Sequence, residues 1–332
     1  MHLETLLKSA VEANASDLHL ASGLLPRLRI DGRLIEMKEA LILLASDILA
    51  MLDAYLSVEA KKHLAENLDV DVALTIKNIG RFRVNIFYEV QGIAAAFRII
   101  PAHIPTLDEL HLPPIIKSLT HLSHGLILVT GPTGSGKSTT LAAMIDLINR
   151  EKNLHIITIE DPIEFLYKSD QCLINQRELN TSTKNFSHAL RAALREDPDI
   201  ILIGEMRDPA TIRLALTAAE TGHLIFATLH TPSAPESIHR IINVFPGEEQ
   251  MVIRSMLSES LQAIIAQMLV PKRGGGRIAA MEIMLANTAI RNLIRENKIS
   301  QMPSIIQTNM AQGMQTFEHH LKELKRQKLI DA

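Results

Sequence analysis

The chain has 332 residues, 47% of them hydrophobic, with a formal net charge of -3 and a single cysteine. That length supports two domains with proper cores. The charge balance argues against a nucleic-acid footprint, and Cys172 alone excludes an internal disulfide or a multi-cysteine zinc site. No apolar run approaches the roughly 18 to 20 residues that span a bilayer. Met1-His-Leu-Glu-Thr also lacks the basic start of a signal peptide, so a cytoplasmic protein is expected.

Residues 1–100 show period-2 patterning and turn signals that predict a small α+β domain. After a first helix, Ser16 to Leu20 alternates like a half-buried strand. Leu28 to Ile30 and Arg33 to Ile35 flank Asp31-Gly32, a pair suited to a two-residue hairpin turn needing positive φ. A second hairpin pairs Val72 to Ile76 with Arg81 to Tyr88 through a turn containing Asn78 and Gly80. There Phe82, Val84, Ile86 and Tyr88 share one face, which leaves Arg81, Arg83 and Asn85 on the other. Arg98 follows in the apolar strand Ile93 to Ile100, where a lone cation needs a partner.

Residues 101–119 carry Pro101, Pro105, Pro113 and Pro114, a composition that predicts a linker. From Gly125 the pattern alternates: strands at Leu126 to Val129, His155 to Ile159, Ile200 to Ile203 and Leu224 to Thr228, with helices from Ser138, around Phe186 to Arg195, and at 209–221. This alternation predicts a parallel sheet covered by helices, an α/β domain. Asp208 as N-cap, Pro209 in the first turn and Gly222 past the end bound the last of these helices. Gly274 to Gly276 break the chain before a strand at Arg277 to Ile283, and a helical tail follows.

The first strand of the second domain turns abruptly into Gly131-Pro132-Thr133-Gly134-Ser135-Gly136-Lys137-Ser138-Thr139-Thr140. The spacing G-x-x-x-x-G-K-S in a strand–loop–helix context matches the P-loop template at every fixed position. Its glycines let backbone N–H groups curl around an anion, and the helix N-terminus adds a favourable dipole. Lys137 would neutralise outer phosphates and Ser138 would ligate a phosphate-bound magnesium ion.

Two further strands end in acids. Asp199 to Ile203 delivers Glu205 past its carboxyl end, where open α/β sheets place ligands; such a group can orient or deprotonate an attacking water, or hold magnesium through water. Thr158 to Glu164 supplies Glu160, Asp161 and Glu164, whose charges beside bound phosphates call for a magnesium ion among them. Asp161 is the candidate direct ligand. His223 and His230 bracket one short strand; sensing of the γ-phosphate and plain packing are the two readings left open for them. At 289–296, Ile290, Leu293 and Ile294 share one helical face and Arg291 with Arg295 another, which by spacing alone reads as an amphipathic helix packed on the core.

Taken together, Ala15 to Leu20, Gly80 to Asn85, Gly131 to Thr140, Thr158 to Phe165, Leu194 to Asp199, Gly204 to Asp208, Thr221 to Thr231 and Ala289 to Glu296 resemble the type II/type IV secretion ATPase superfamily. The likeness covers nearly the whole chain and is strongest to the pilus-retraction branch, whose signature the last octet resembles. The resemblance implies a PAS-like N-terminal domain over 1–100, a linker at 101–119, and a RecA-like ATPase domain with a helical tail over 120–332. It further implies ATP and magnesium as cofactors, a homohexameric ring with ATP bound between domains, and Arg81, Arg83 and Arg98 as arginine fingers. The ring would act at the inner face of the cytoplasmic membrane, reached only through partners, by driving pilin removal through an inner-membrane platform protein.

Ala227, Pro232 and His239 depart from the residues usual in that branch, and the chain stops soon after Leu329, shorter than many relatives. Extension and type II secretion ATPases, the nearest rivals, typically carry a four-cysteine zinc site and a further N-terminal domain; one cysteine and a strand-rich start at residue 16 disfavour them. An accessory retraction paralogue is disfavoured by the 289–296 octet. A RecA-type nucleic-acid motor and a catalytically silent nucleotide-binding regulator complete the alternatives.

Overall fold

The computed structural model describes residues 2–30, 32–101, 103–179 and 181–331. They form two compact units, Met1–His103 and Ile104–Ala332.

The first unit contains α1 (Leu3–Glu12), β1 (Asp17–Ala21), β2 (Arg27–Ile30), β3 (Arg33–Glu36), α2 (Ala45–Asp53), α3 (Val58–Asn67), β4 (Asp69–Ile76), β5 (Gly80–Glu89) and β6 (Gly92–Ile100). Its antiparallel sheet runs β3-β2-β1-β6-β5-β4. Alternation along β5 decides its two faces: Phe82, Val84 and Ile86 are fully buried, while Arg83 opposite is exposed. Tyr88, expected on the buried face, lies past the core edge and is exposed. Ile30 pairs Arg33, so the β2–β3 turn has two residues. Gly32 takes φ +80°, and Asp31 lies outside the described residues. Two helices carry no sequence expectation. Asp47 accepts from the Leu44 N–H to start α2, and Ser57 caps α3 by accepting from Ala60.

In the second unit, α4 (Pro114–Leu119) lies inside the stretch expected to be a linker. Proline explains the difference: Pro114 at the first helical position costs no backbone bond there. Ile116 and Leu119 then join the core. β7 (Gly125–Thr130), α5 (Lys137–Glu151), β8 (His155–Glu160), β9 (Leu173–Glu178), α6 (Phe186–Ala193), β10 (Ile200–Ile203), α7 (Pro209–Glu220), β11 (Leu224–Leu229), α8 (Ala234–Asn243), α9 (Gln250–Ser260), β12 (Leu261–Pro271) and β13 (Arg277–Leu285) follow. The tail adds α10 (Thr288–Arg295), α11 (Met302–Thr308) and α12 (Phe317–Arg326).

The seven-stranded sheet runs β13-β12-β7-β11-β10-β8-β9, parallel throughout except for β13. Both faces of its central strands are covered, which is why they read as continuous apolar runs. Leu126 and Leu128 of β7 enter one core layer with α6, α7, α8 and α9, and Ile127 and Val129 enter the other with α5. α7 has the expected cap, Asp208 accepting from the Thr211 N–H at 2.9 Å. The parallel order brings the carboxyl ends of β7, β8, β10, β11 and β12 to one edge.

Candidate nucleotide site

At that edge β7 gives way to the 131–136 loop, and α5 begins at Lys137. Gly131, Gly134 and Gly136 have φ of +139°, +77° and +86°, the left-handed region that lets the loop curl back on itself. Gly131 is required for a second reason: a Cβ there would lie 2.2 Å from the carbonyl oxygen of Gln267 on β12. Lys137 is buried and its Nζ donates to the carbonyls of Gly131 at 2.9 Å and Pro132 at 3.0 Å. Burial lowers its pKa, a shift opposed by the charges of Glu205 and Glu164. Ser135 Oγ is buried and, among the described residues, has no hydrogen-bond partner. A cradle of positive-φ glycines, a buried ammonium and a spare hydroxyl at a helix N-terminus suits a polyphosphate anion.

Glu205 lies just beyond β10. Its Oε1 is 3.2 Å from His230 Nε2 at the end of β11, and its Oε2 is 2.7 Å from Arg207. Burial pushes the Glu205 pKa up, but the Arg207 hydrogen bond and the His230 and Arg207 charges together bring it below the ordinary carboxylate value. The group is therefore a carboxylate at neutral pH. Thr228 on β11 donates to the Gly204 carbonyl, and Gly204 N–H donates to Ile159, so the turn carrying Glu205 is held from both flanking strands.

Glu160, at the end of β8, is only 8% exposed. Thr158 Oγ1 donates to its Oε1 at 2.6 Å and Gln176 Nε2 at 3.3 Å. Desolvation dominates these hydrogen bonds and raises its pKa to about 7. Asp161 and Glu164 are exposed. Among the described residues no three acidic, histidine or cysteine side chains form a cation cage. The three acids at 160, 161 and 164 thus do not make a metal site by themselves. Ser138 stands in the first turn of α5, directly after the loop.

The two histidines part company. His230 reaches Glu205, whereas His223 precedes β11 at the opposite edge of the sheet. Its carbonyl accepts from Gly125 N–H at the start of β7, and its Nδ1 lies 3.0 Å from the Ala218 carbonyl of α7. Six strand residues separate it from the loop, about 20 Å. The expectation that both histidines share one site does not hold within one chain, because a strand carries its two ends to opposite edges of a sheet.

Arg81, Arg83 and Arg98 belong to the first unit. Arg83 pairs directly with Arg98 across β5 and β6, and Arg98 pairs with Asp17, which pairs with Arg29. The partner Arg98 needs is Asp17: its Nε donates to Oδ1 at 3.0 Å, and Arg29 Nε lies 3.8 Å from Oδ2.

Arg207 and Gln267 were not singled out as site residues from sequence. Arg207 was visible only as part of Gly204 to Asp208. Gln267 had one signal, shared with Gln262: an amide in the otherwise apolar run Leu261 to Val270.

α10 covers the expected octet up to Arg295, with Glu296 as its C-cap and Ile290 and Ile294 fully buried. Arg291 Nη1 donates to the carbonyls of Ser258 and Glu259 at the end of α9, at 2.5 and 2.7 Å. Arg295 reaches Glu259 Oε1 at 2.9 Å. Among the departures, Ala227 is fully buried in β11, and Pro232 and His239 are exposed. Among the described residues no helix is long and apolar enough to cross a membrane.

Residues 1–274 match the family model described as type II/IV secretion system protein. The chain is 52% identical over 332 residues to the type IV pilus retractation ATPase PilT of Pseudomonas aeruginosa, covering 99% of this chain and 96% of that protein. It is 50% identical over 331 residues to a twitching motility protein of Neisseria gonorrhoeae, covering 99% and 87%. A crystal structure of the pilus retraction motor PilT with bound ADP superposes with a TM-score of 0.93 at 49% identity, covering 99% of this chain and 94% of that one.

Proposed function

The chain belongs to the type II/IV secretion system protein family, and from that premise we infer that it is a P-loop ATPase that powers retraction of a type IV pilus. One observation carries the catalytic part: the 131–138 loop and Glu205, held by Arg207 and His230, stand at the carboxyl edge of one parallel sheet.

ATP is the substrate. Backbone N–H groups of the loop take its phosphates and Lys137 neutralises their outer charge. Ser138 and Asp161 would hold a magnesium ion bound with the phosphates, which would supply charge neutralisation at the transferring group. Glu205 orients the attacking water and takes its proton as the bond to the departing ADP breaks. His230 and Arg207 keep Glu205 ionised and fixed. Glu160 or Glu164 assists from the neighbouring strand end. Arg81, Arg83 and Arg98 are assigned as arginine fingers on the strength of the family resemblance, worth about 10³ to 10⁵ in rate in systems that use them.

The working assembly is a homohexamer at the inner face of the cytoplasmic membrane, coupled to pilin removal through an inner-membrane platform protein. The catalytic reading is tested by phosphate release from the purified chain with MgATP. Turnover abolished in Glu205→Gln while ATP still binds supports it; no turnover in the wild-type chain in any oligomeric state overturns it.

A further inference from the structure

We propose that Gln267 of β12 is a positioning residue for the phosphate loop, aiming the Gly136 N–H into the concave side of the cradle. The proposal rests on the ATPase reading above and adds to it a residue outside the P-loop, 127 positions beyond Thr140.

Gln267 is a polar side chain on a strand whose neighbours Ile265 and Ala266 are fully buried, and it is itself 1% exposed. Its amide is spent entirely on the phosphate site. Nε2 donates to the Ser135 carbonyl at 2.6 Å, and Oε1 accepts from Thr140 Oγ1 in the first turn of α5 at 3.0 Å. One side chain thus ties the loop to the helix that the loop feeds. Its own backbone carbonyl is the surface against which Gly131 packs. The strand is fixed in turn: Ala266 pairs Thr130 of β7, and Gln267 pairs Met281 of β13.

The consequence follows from peptide geometry. A trans peptide points its C=O and the next N–H in opposite directions. With the Ser135 carbonyl held on Gln267, the Gly136 N–H faces away from β12. An apolar side chain at 267 would leave that carbonyl buried and unpaired, and the cheapest relief is a flip of the 135–136 peptide that turns an anion donor into an acceptor. Gly136, in the left-handed region, has no Cβ to resist the flip. Gln267 therefore favours the loop conformation that binds phosphate over one that repels it.

The test uses the full chain with fluorescent MgADP, hydrolysis kinetics and thermal melting of nucleotide-free protein. Gln267→Met keeps the volume and removes both bonds; its nucleotide Kd and KM are expected to rise about tenfold, with kcat changed much less. Thr140→Val removes only the helix half of the bridge and is expected to weaken binding about threefold. The double variant is expected to fall short of the product of the two effects, since both act through one bridge. A lowered melting temperature with Kd unchanged in Gln267→Met would reduce Gln267 to packing and overturn the proposal. If Gln267→Met fails to fold, Thr140→Val decides: weakened binding supports the bridge and unchanged binding overturns it. Wild-type chain that binds no MgADP would instead remove the nucleotide reading on which the proposal rests.

Discussion

His230 Nε2 lies 3.2 Å from Glu205 Oε1, joining the end of β11 to the carboxylate beyond β10. The pair joins the segments that follow two neighbouring strands, β10 and β11. Glu205→Gln is expected to cut ATP turnover by about 10² to 10⁴ with nucleotide affinity nearly unchanged. His230→Ala, which leaves the carboxylate but loosens it, should cost about 10- to 100-fold. Steady-state kinetics with a separate binding assay checks both. Wild-type turnover in Glu205→Gln together with loss in Glu164→Ala would move the main role to the end of β8.

Glu160 makes stability depend on pH in a direction opposite to most carboxylates. Its folded pKa of about 7 stands above the ordinary value of about 4.3. Within that window the folded state holds a proton the unfolded chain releases, so stability falls as pH rises from about 4 to 7. Glu160→Gln keeps the Thr158 and Gln176 contacts without the buried charge. In nucleotide-free protein it should gain on the order of 3 kcal/mol at pH 8 but only about 1 kcal/mol at pH 5. Urea melts at the two pH values measure this; a variant less stable than wild type at pH 8 would contradict it.

Gly131 and Gly134 both take positive φ, +139° and +77°, in unlike surroundings. Nothing lies within 4 Å of a Cβ at Gly134, whereas one at Gly131 meets the Gln267 carbonyl. Gly134→Ala should therefore cost only about 1 to 2 kcal/mol of left-handed strain. Gly131→Ala adds a collision with β12 backbone and should cost at least about 3 kcal/mol, or prevent folding. Thermal melts of the two variants distinguish them.

Arg291 fastens α10 to the end of α9, where the helix passes without a break into β12. Losing two bonds from a charged donor to carbonyls should cost about 2 to 3 kcal/mol in Arg291→Ala. Both carbonyls accept from the one Nη1, which a lysine ammonium can imitate, while the Nη2 contact with Gln262 Oε1 is lost, so Arg291→Lys should recover part of that but not all. Chemical denaturation checks the order of the three proteins.

The phosphate loop, both acid-ending strands and the β4–β5 hairpin were legible because each rests on local chemistry. Gly131 to Ser138 carries its conformation in its own glycines, and α7 announces itself through Asp208, Pro209 and Gly222. What escaped depends on contacts between distant segments. β12 follows α9 directly, and Leu261 to Val270 reads equally well as more buried helix until β7 pairs with it. Gln267 meets Ser135 only through that pairing. α4 was obscured by prolines that also mark linkers. His223 and His230 are close in sequence, and only the strand between them, with its fixed rise, shows that one of them serves a different edge.

The central claim, retraction driven by ATP hydrolysis, is tested most directly by counting surface pili and measuring surface motility in source cells lacking this gene, then restoring either the wild-type chain or Glu205→Gln. The expected result is abundant pili with lost motility, reversed by the wild-type chain and not by Glu205→Gln. Cells without pili would contradict the account and assign the chain to extension, and unchanged piliation and motility would remove it from the principal retraction step.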